Sequence, residues 1–215
     1  MRISDKYDLF IFDWDGTLER VMYMYKLNER LNPFWKNKKK SSFKDAASPN
    51  DKRQIEKQLK RLENIEERDE RKLKFLLDMY MLFEKPKMQD GSLSVLRSLY
   101  NRGKAMAIFS NGASWRIKRE IRDLSIDHYF SALISAQHIG SLKPNPLGIH
   151  LIMRKCGAVS RRTLYIGDMV DDIKTARAAG VDSCGIAAGF DNYTALEDEK
   201  PTYLFRNMRE FQKAL

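Results

Sequence analysis

The sequence predicts an α/β protein, in which helices flank a parallel sheet and an all-helical segment is inserted after the first strand. Two observations carry this prediction. Short apolar runs alternate with helical patterns along residues 88–190, as in parallel sheets that are buried on both faces. The stretch 21–87, in contrast, has many charges, few glycines and no convincing strand pattern.

The first strand is predicted at Tyr7–Phe12, where the run YDLFIF is almost continuously apolar. Four further runs of this kind complete the predicted sheet: Ala105–Phe109, Ala132–Ser135, Thr163–Ile166 and Asp182–Ala187. The segments between them show helical spacing, over Ser92–Arg102, Ser114–Leu124, Pro146–Cys156 and Asp171–Ala179. Gly157 and Gly180 follow two of these helices, at the position where a glycine commonly ends a helix.

The inserted stretch carries apolar residues at helical spacing, for example at Ile55, Leu59 and Leu62. We therefore predict a small bundle of helices and a division into two domains. An α/β core would comprise residues 1–20 and 88–215, and a helical domain residues 21–87. The basic run Lys36–Lys40 is interpreted as a solvated loop, with an anion-guiding or nucleic-acid-binding patch as the alternative.

Composition limits the class of protein without naming a function. The chain has 215 residues, of which 43% are hydrophobic, which suffices for a sizeable core. No apolar run approaches the roughly 20 residues that span a bilayer, so we predict a cytoplasmic protein without a membrane partner. The two cysteines, Cys156 and Cys184, are interpreted as reduced thiols. The net charge of +10 favours an anionic partner, which nucleic acid, anionic lipid and phosphorylated metabolites would all satisfy.

Polar side chains follow each of four predicted strands. Asp13 and Asp15 come after the first strand, and Ser110 and Asn111 after the second. Lys143 lies in the loop after the third, and Asp168 and Asp172 come after the fourth. Ligands of open α/β sheets bind outside the carboxyl ends of the strands, where parallel neighbours would bring these groups together. The sequence therefore predicts one polar crevice at this edge of the sheet.

The residue types in this crevice suit a metal-bound phosphate. Four crowded carboxylates repel one another unless a cation offsets them, and a set of oxygen ligands without His or Cys suits Mg²⁺. Ser110 offers a hydroxyl, Lys143 a point charge, and the backbone around Asn111 further N–H donors for phosphate. One aspartate would then stand ready for in-line attack on phosphorus.

Four motifs in this order, DWDGTL, SNG, LKPNP and GDMVDD, resemble those of the haloacid dehalogenase superfamily. The similarity covers roughly residues 7–18 and 88–190, and its nearest branch is the one that resembles phosphoglycolate phosphatases. The resemblance implies a Rossmann-like core, and it implies that the helical insertion is a type-1 cap domain. It also implies an Mg²⁺-dependent phosphatase that acts on a small phosphomonoester.

The resemblance further implies a role for each residue of the crevice. Asp13 would be the nucleophile that forms an aspartyl-phosphate, and Asp15 the general acid and then base, with its backbone carbonyl on Mg²⁺. Phosphoryl oxygens would be held by Ser110, Asn111 and Lys143. Asp168 would bind the metal directly, together with Asp13, and Asp172 would support it through water. Thr17 would cap a turn or touch phosphate, and the cap is favoured.

Several alternatives remain open from the sequence. A phosphomutase, another phosphotransferase or a phosphonatase would use a similar site. A receiver-like phosphoryl switch is disfavoured, because there the paired acids precede the phosphorylated aspartate in the chain. A basic nucleic-acid-binding module with a relict core is also disfavoured, because the set of site residues is intact and the run Lys36–Lys40 lacks interleaved aromatic residues. The sequence leaves the oligomeric state and the identity of the substrate open.

Overall fold

The computed structural model of the chain describes residues 2–20 and 85–215. The predicted helical domain, residues 21–87, lies outside these ranges except for its last three residues, and so does the basic run Lys36–Lys40. Within the described ranges, no helix has both the length and the apolar character that crossing a membrane requires.

Six parallel strands form one sheet, in the order β3-β2-β1-β4-β5-β6. Their bounds are β1 Leu9–Phe12, β2 Ala105–Ser110, β3 Ala132–Ser135, β4 Thr163–Gly167, β5 Asp182–Ile186 and β6 Tyr203–Phe205. The five strands that the sequence predicts are all present, with ends that shift by at most two residues. The short edge strand β6 is an addition to that prediction.

Eight α-helices occupy the described ranges: α1 Ile3–Lys6, α2 Ser92–Asn101, α3 Ser114–Asp123, α4 Ala136–Ile139, α5 Leu147–Cys156, α6 Val170–Ala179, α7 Tyr193–Asp198 and α8 Met208–Ala214. The four predicted helices correspond to α2, α3, α5 and α6. Gly157 and Gly180 follow α5 and α6 with φ of 64° and 67°, which confirms both predicted helix ends.

The central strand β1 is completely buried, because core clusters cover both faces of the sheet. Phe10 and Phe12 pack into one cluster, which includes residues of α2, α3 and α8. Leu9 and Ile11 pack into the other, which includes residues of α5 and α6. This two-sided burial explains why the strand reads as a continuous apolar run.

The register of β1 sets the position of the site. Phe12 is level with Ile108 of β2 on one side and with Ile166 of β4 on the other. The three strands therefore end together, and the residues that follow them share one edge of the sheet. The order of the strands also reverses direction beside β1, which is where doubly wound sheets bind ligands.

The chain leaves the core after residue 20 and returns to it at residue 87, and both points lie together beside this edge. The backbone N–H of Arg20 donates to the carbonyl of Lys87 at 2.8 Å, and that of Gln89 donates to the carbonyl of Leu18 at 2.8 Å. The two ends of the segment are thus tied to each other. This geometry suits an insertion into the core, while the domain division itself stays a prediction.

Candidate active site

All seven predicted site residues lie at the carboxyl edge of the sheet. Five follow strand ends directly: Asp13 and Asp15 after β1, Ser110 and Asn111 at the end of β2, and Asp168 after β4. Asp172 lies in the first turn of α6, and Lys143 in the loop between α4 and α5. Direct contacts join Lys143 to Asp13, Asp172 and Asn111, and a separate contact joins Ser110 to Asp15.

Lys143 is buried and lies between two carboxylates. Its Nζ is 2.8 Å from Asp13 Oδ1, in an ion pair without hydrogen-bond geometry, and it donates a hydrogen bond of 2.7 Å to Asp172 Oδ1. Its backbone N–H donates to Asn111 Oδ1 at 3.0 Å, which fixes the loop. Burial alone would lower the pKa of Lys143, but the carboxylates of Asp13 and Asp172 outweigh burial and raise the pKa well above its ordinary value. The ammonium therefore remains charged.

Three buried aspartates form an acidic cluster next to this ammonium. One carboxylate oxygen from each of Asp13, Asp168 and Asp172 lies within 4.8 Å of the others. Burial raises the pKa of Asp13 well above its ordinary value, and Asp172, Asp168 and Asp15 add to that effect while Lys143 opposes it. Burial, and then Asp172, raise the pKa of Asp168 to about 7. One ammonium is thus too little to balance these carboxylates, and the cluster could hold a divalent cation.

Asp168 is held by groups from distant parts of the chain. Thr17 Oγ1 donates to its Oδ1 at 2.7 Å, and the backbone N–H of Phe190 donates to its Oδ2 at 2.7 Å. Glycines make room for this carboxylate, because a Cβ on Gly189 would lie 1.9 Å from Oδ2 and one on Gly16 would lie 2.3 Å from it. Gly16 also has φ of 85°, in the left-handed region that favours glycine. The expected capping role of Thr17 is wrong, because its hydroxyl orients Asp168 instead.

Both oxygens of Asp172 have protein partners. Oδ2 accepts from the backbone N–H of Met169 at 2.9 Å, and Oδ1 accepts from Lys143 and from the hydroxyl of Tyr165, the latter at 2.9 Å. Tyr165 in turn lies in the core between β1 and β5, where it is buried. This arrangement suits a residue that orients its neighbours.

The turn after β2 places Ser110 beside Asp15. Ser110 Oγ donates to Asp15 Oδ2 over a long 3.4 Å, and it accepts from the backbone N–H of Gly112 at 3.0 Å. The carbonyl of Gly112 accepts from Ser135 Oγ at 2.6 Å, which ties the turn to the end of β3. Gly112 follows Asn111 in the backbone that was expected to donate to phosphate, but its N–H donates to Ser110 instead.

Asp15 has an ionic partner that the sequence analysis does not identify. Arg116 Nη2 lies 2.7 Å from Asp15 Oδ2, and Nη1 lies 2.9 and 3.0 Å from the two carboxylate oxygens of Glu120. The indole N–H of Trp14 donates to Glu120 Oε2 at 2.6 Å. Arg116 and Glu120 lie four positions apart on α3. In a sequence, this spacing is also that of an ordinary surface ion pair.

The arrangement combines an acidic cluster, a buried ammonium and a hydroxyl at the end of parallel strands. The hydroxyl and ammonium are partners for an anion, and the acidic cluster is a partner for a cation. A phosphate bound through a metal would use both. Thr17, Phe190 and Gly189 were missed as supporting residues because only folding brings their loops to Asp168.

Comparison with known proteins gives one family. A family model for haloacid dehalogenase-like hydrolases matches residues 10–186. This range contains every predicted site residue and most of the described core.

Curated relatives and a solved structure show more distant similarity. Phosphoglycolate phosphatase of Pasteurella multocida is 28% identical over 112 residues, which are 52% of this chain and 50% of that protein. Phosphoglycolate phosphatase of Colwellia psychrerythraea is 29% identical over 123 residues, 57% of this chain and 53% of that protein. The chain thus spans about half the length of the curated relatives it matches. A crystal structure of a predicted phosphoglycolate phosphatase from Haemophilus somnus superposes with a TM-score of 0.68 over 97% of both chains at 23% identity, which shows a shared fold.

Proposed function

The chain belongs to the haloacid dehalogenase-like hydrolase family, and from this membership we propose that it is an Mg²⁺-dependent phosphatase that hydrolyses a small phosphomonoester. One observation carries the proposal: a buried aspartate, Asp13, lies at the end of the central strand in contact with a buried ammonium and within an acidic cluster. This environment suits a carboxylate that attacks a metal-bound phosphate.

The cation would be held by oxygen atoms alone. The side chains of Asp13 and Asp168 and the backbone carbonyl of Asp15 would bind it, and Asp172 would support it. An all-oxygen set of this kind favours Mg²⁺ over metals that prefer His or Cys. When bound, the ion would offset the negative charge of the phosphate and of the carboxylates.

The protein groups would divide the reaction into two displacements. Asp13 attacks phosphorus while the bond to the leaving oxygen breaks, and Asp15 gives its proton to that oxygen. Asp15 then accepts a proton from water as the water oxygen attacks the aspartyl-phosphate, and the bond between Asp13 and phosphorus breaks. Ser110, Asn111 and Lys143 would hold the phosphoryl oxygens throughout.

The substrate is proposed as a small phosphorylated metabolite, phosphoglycolate or a related compound. Support comes from the curated relatives, which are named phosphoglycolate phosphatases. Residues 21–87 would form a cap that contacts the substrate and excludes water from the site, since they join the core beside this edge. A cytoplasmic location belongs to the same proposal, and the free thiols of Cys156 and Cys184 suit a reducing compartment.

The test is a panel of phosphomonoesters assayed for released phosphate before and after removal of metal. The panel contains phosphoglycolate, sugar phosphates and nucleotides, with pyrophosphate as a diphosphate comparison. We expect hydrolysis of at least one monoester, loss of activity with EDTA and recovery with Mg²⁺. Ca²⁺ should inhibit, because its larger and looser coordination would misplace the attacking carboxylate. Full activity after exhaustive chelation would exclude this mechanism, and transfer of the phosphoryl group to a sugar instead of water would indicate a mutase.

A further inference from the structure

Arg116 carries a buried guanidinium between two carboxylates. Its side chain is 11% exposed, and it pairs with Asp15 on one side and with Glu120, whose side chain is completely buried, on the other. A buried charge is tolerated when paired and hydrogen-bonded, and the planar fork of arginine can serve two carboxylates at once. The guanidinium therefore has a fixed place beside Asp15.

The groups around Arg116 fix that place from several directions. Glu120 is itself anchored by the indole N–H of Trp14, which is completely buried. The turn after β2 leaves room for the guanidinium only because residue 112 is glycine: a Cβ there would lie 2.4 Å from Arg116 Nη2 and 3.0 Å from Asp15 Oδ2. Trp14 lies between Asp13 and Asp15 in the chain, so this network begins within the first motif.

Both described partners of the Asp15 carboxylate contact the same oxygen. Arg116 Nη2 lies 2.7 Å from Oδ2, and Ser110 Oγ donates to Oδ2 at 3.4 Å. Oδ2 is therefore committed to accepting hydrogen bonds from the protein. A proton that Asp15 donates or accepts in a reaction would therefore be carried by Oδ1.

We propose that Arg116 is a positioning residue for Asp15: by holding Oδ2, the guanidinium aims Oδ1 at the oxygen that leaves phosphorus and then at the attacking water. The inference rests on the proposed phosphatase function. In the first displacement the proton moves from Oδ1 to the leaving oxygen as its bond to phosphorus breaks. In the second, a water proton moves to Oδ1 as the water oxygen bonds to phosphorus and the Asp13 oxygen leaves.

Leaving groups separate this role from a purely structural one. An alkoxide needs a proton to leave, whereas nitrophenolate is stable as an anion and leaves without one. Loss of positioning should therefore slow the first displacement on alkyl phosphates and leave its rate on p-nitrophenyl phosphate nearly unchanged. The parameter kcat/KM reports this displacement, because it covers the steps up to the first irreversible one.

The variant is Arg116→Met, which keeps most of the side-chain volume and removes the fork. We expect kcat/KM for the best alkyl phosphate of the panel to fall about 100-fold, and that for p-nitrophenyl phosphate to stay within about fivefold. The second displacement needs Asp15 for either substrate, so p-nitrophenyl phosphate should show a rapid burst of nitrophenolate followed by slow turnover. The size of the burst counts folded active sites, so partial misfolding does not imitate the effect.

Two further measurements sharpen the test. Arg116→Lys keeps the charge but lacks the fork, and it should give an intermediate loss for the alkyl phosphate. For Arg116→Ala, millimolar guanidinium ion should restore part of the rate on the alkyl phosphate. The matched control is Arg122→Met at an exposed position of the same helix, and it should leave kcat/KM for both substrates unchanged.

Equal losses on the two classes of substrate, or no loss on either, would overturn the inference. If the wild-type protein is active and the variants affect both substrates equally, only this inference is overturned. A wild-type protein that hydrolyses no phosphomonoester would overturn the proposed function, and this inference with it.

Discussion

Asp13 has the environment that the proposed chemistry requires of a single carboxylate. It is 3% exposed, and Lys143 lies 2.8 Å away. The pKa of Asp13 is raised, chiefly by burial, whereas a nucleophile must be ionised. A cation bound at the acidic cluster would supply the missing positive charge. Under the proposed mechanism, the nucleophile and the metal site would therefore depend on each other electrostatically.

The first prediction concerns Asp13 itself. Asp13→Asn should lower kcat by roughly three orders of magnitude or more, because an amide cannot form the acyl phosphate and no other group among residues 2–20 and 85–215 is expected to replace it. The measurement is phosphate release at saturating substrate and Mg²⁺. Asp198→Asn, at an exposed position of α7, serves as the control and should retain full activity. More than a tenth of the wild-type kcat in Asp13→Asn would remove Asp13 from the role.

The second prediction concerns the pH dependence of stability in metal-free protein. Burial and the neighbouring Asp172 raise the pKa of Asp168 from 3.8 to about 7, so between these values the folded state binds more protons than the unfolded state. Stability must then fall as pH rises through this window, and the loss is complete above it. Relative to Asp168→Asn, which does not titrate, the wild-type protein should lose free energy of unfolding between about pH 4.5 and about pH 7.5.

Urea unfolding of both proteins at the two pH values, after removal of metal, measures this difference. A saturating divalent cation should reduce or reverse it, because a cation at the cluster favours the ionised carboxylate. A wild-type protein that gains stability relative to Asp168→Asn as pH rises, without metal, would contradict the assigned direction.

The residues that sequence reasoning identified share one property: they occur in short ordered motifs. Asp13, Asp15 and Asp168 could be predicted because they are polar residues that come just after an apolar run. Arg116 could not, since its pairing with Glu120 looks like a surface contact until the helix is placed. Thr17 was misread because its partner, Asp168, is 151 positions away. Contacts of this range depend on the fold and leave no local pattern.

At the scale of elements, loops that follow the strands do most of the positioning. In the loop after β5, the backbone N–H of Phe190 donates to Asp168. The next residue, Asp191, accepts at Oδ2 from the backbone N–H of Val170 at 2.7 Å. This loop thereby joins the start of α6 to the end of β5. Its closeness to the acidic cluster requires glycine at position 189.

The third prediction follows from that closeness. Gly189→Ala would place a Cβ 1.9 Å from Asp168 Oδ2 and 2.4 Å from Cγ, so the carboxylate or the loop must move. We expect the Mg²⁺ concentration for half-maximal activity to rise about 10- to 100-fold, the usual cost of disturbing the support of a metal ligand. Gly103→Ala is the control, because a Cβ there meets nothing within 4 Å.

The control carries its own expected cost. Gly103 has φ of 66°, so alanine there should lower stability by about 1 kcal/mol without changing the Mg²⁺ requirement. Titration of activity with Mg²⁺ and urea unfolding, carried out on both variants, separate the two effects. An unchanged Mg²⁺ requirement in Gly189→Ala would show that Asp168 tolerates displacement.

Sequence patterns predicted the long elements and missed the short ones, for physical reasons. The strands β1 to β5 are covered by helices or by neighbouring strands, so their sequences carry apolar runs. The edge strand Tyr203–Phe205 has three half-buried residues and too little length for a pattern. Helices α1 and α4 have four residues each, less than the span over which helical periodicity can be recognised.

At the scale of the whole molecule, the core supplies the reacting groups and leaves the choice of substrate to other residues. Under the proposed function, the described groups of the site would contact only the metal and the phosphoryl group, which every phosphomonoester offers. Specificity must then come from groups that contact the remainder of the substrate. We propose that the segment between Arg20 and Lys87, whose two ends meet beside the site, supplies them.

The fourth prediction separates this role of the segment from a role in binding nucleic acid. The net charge of +10 would suit either, and the lysines at 38, 39 and 40 lie outside the described residues. If phosphate is recognised by the core, replacing Lys38, Lys39 and Lys40 together with Ser should leave kcat for a small phosphomonoester within about threefold of wild type. Only kcat/KM at low salt should fall modestly, because exposed charges attract anions over about 10 Å at 0.1 M salt and less at higher salt.

The measurements are steady-state kinetics at two salt concentrations and binding of RNA and DNA at physiological salt. Nucleic-acid binding that depends on the three lysines should be weak and should disappear as salt rises, since it would consist of phosphate contacts alone. The opposite result is equally clear: tight, salt-resistant binding of nucleic acid that the triple variant loses, together with no turnover of any phosphomonoester. The carboxylates and the ammonium at the sheet edge would then be the remains of an enzyme, and the basic segment would carry the function.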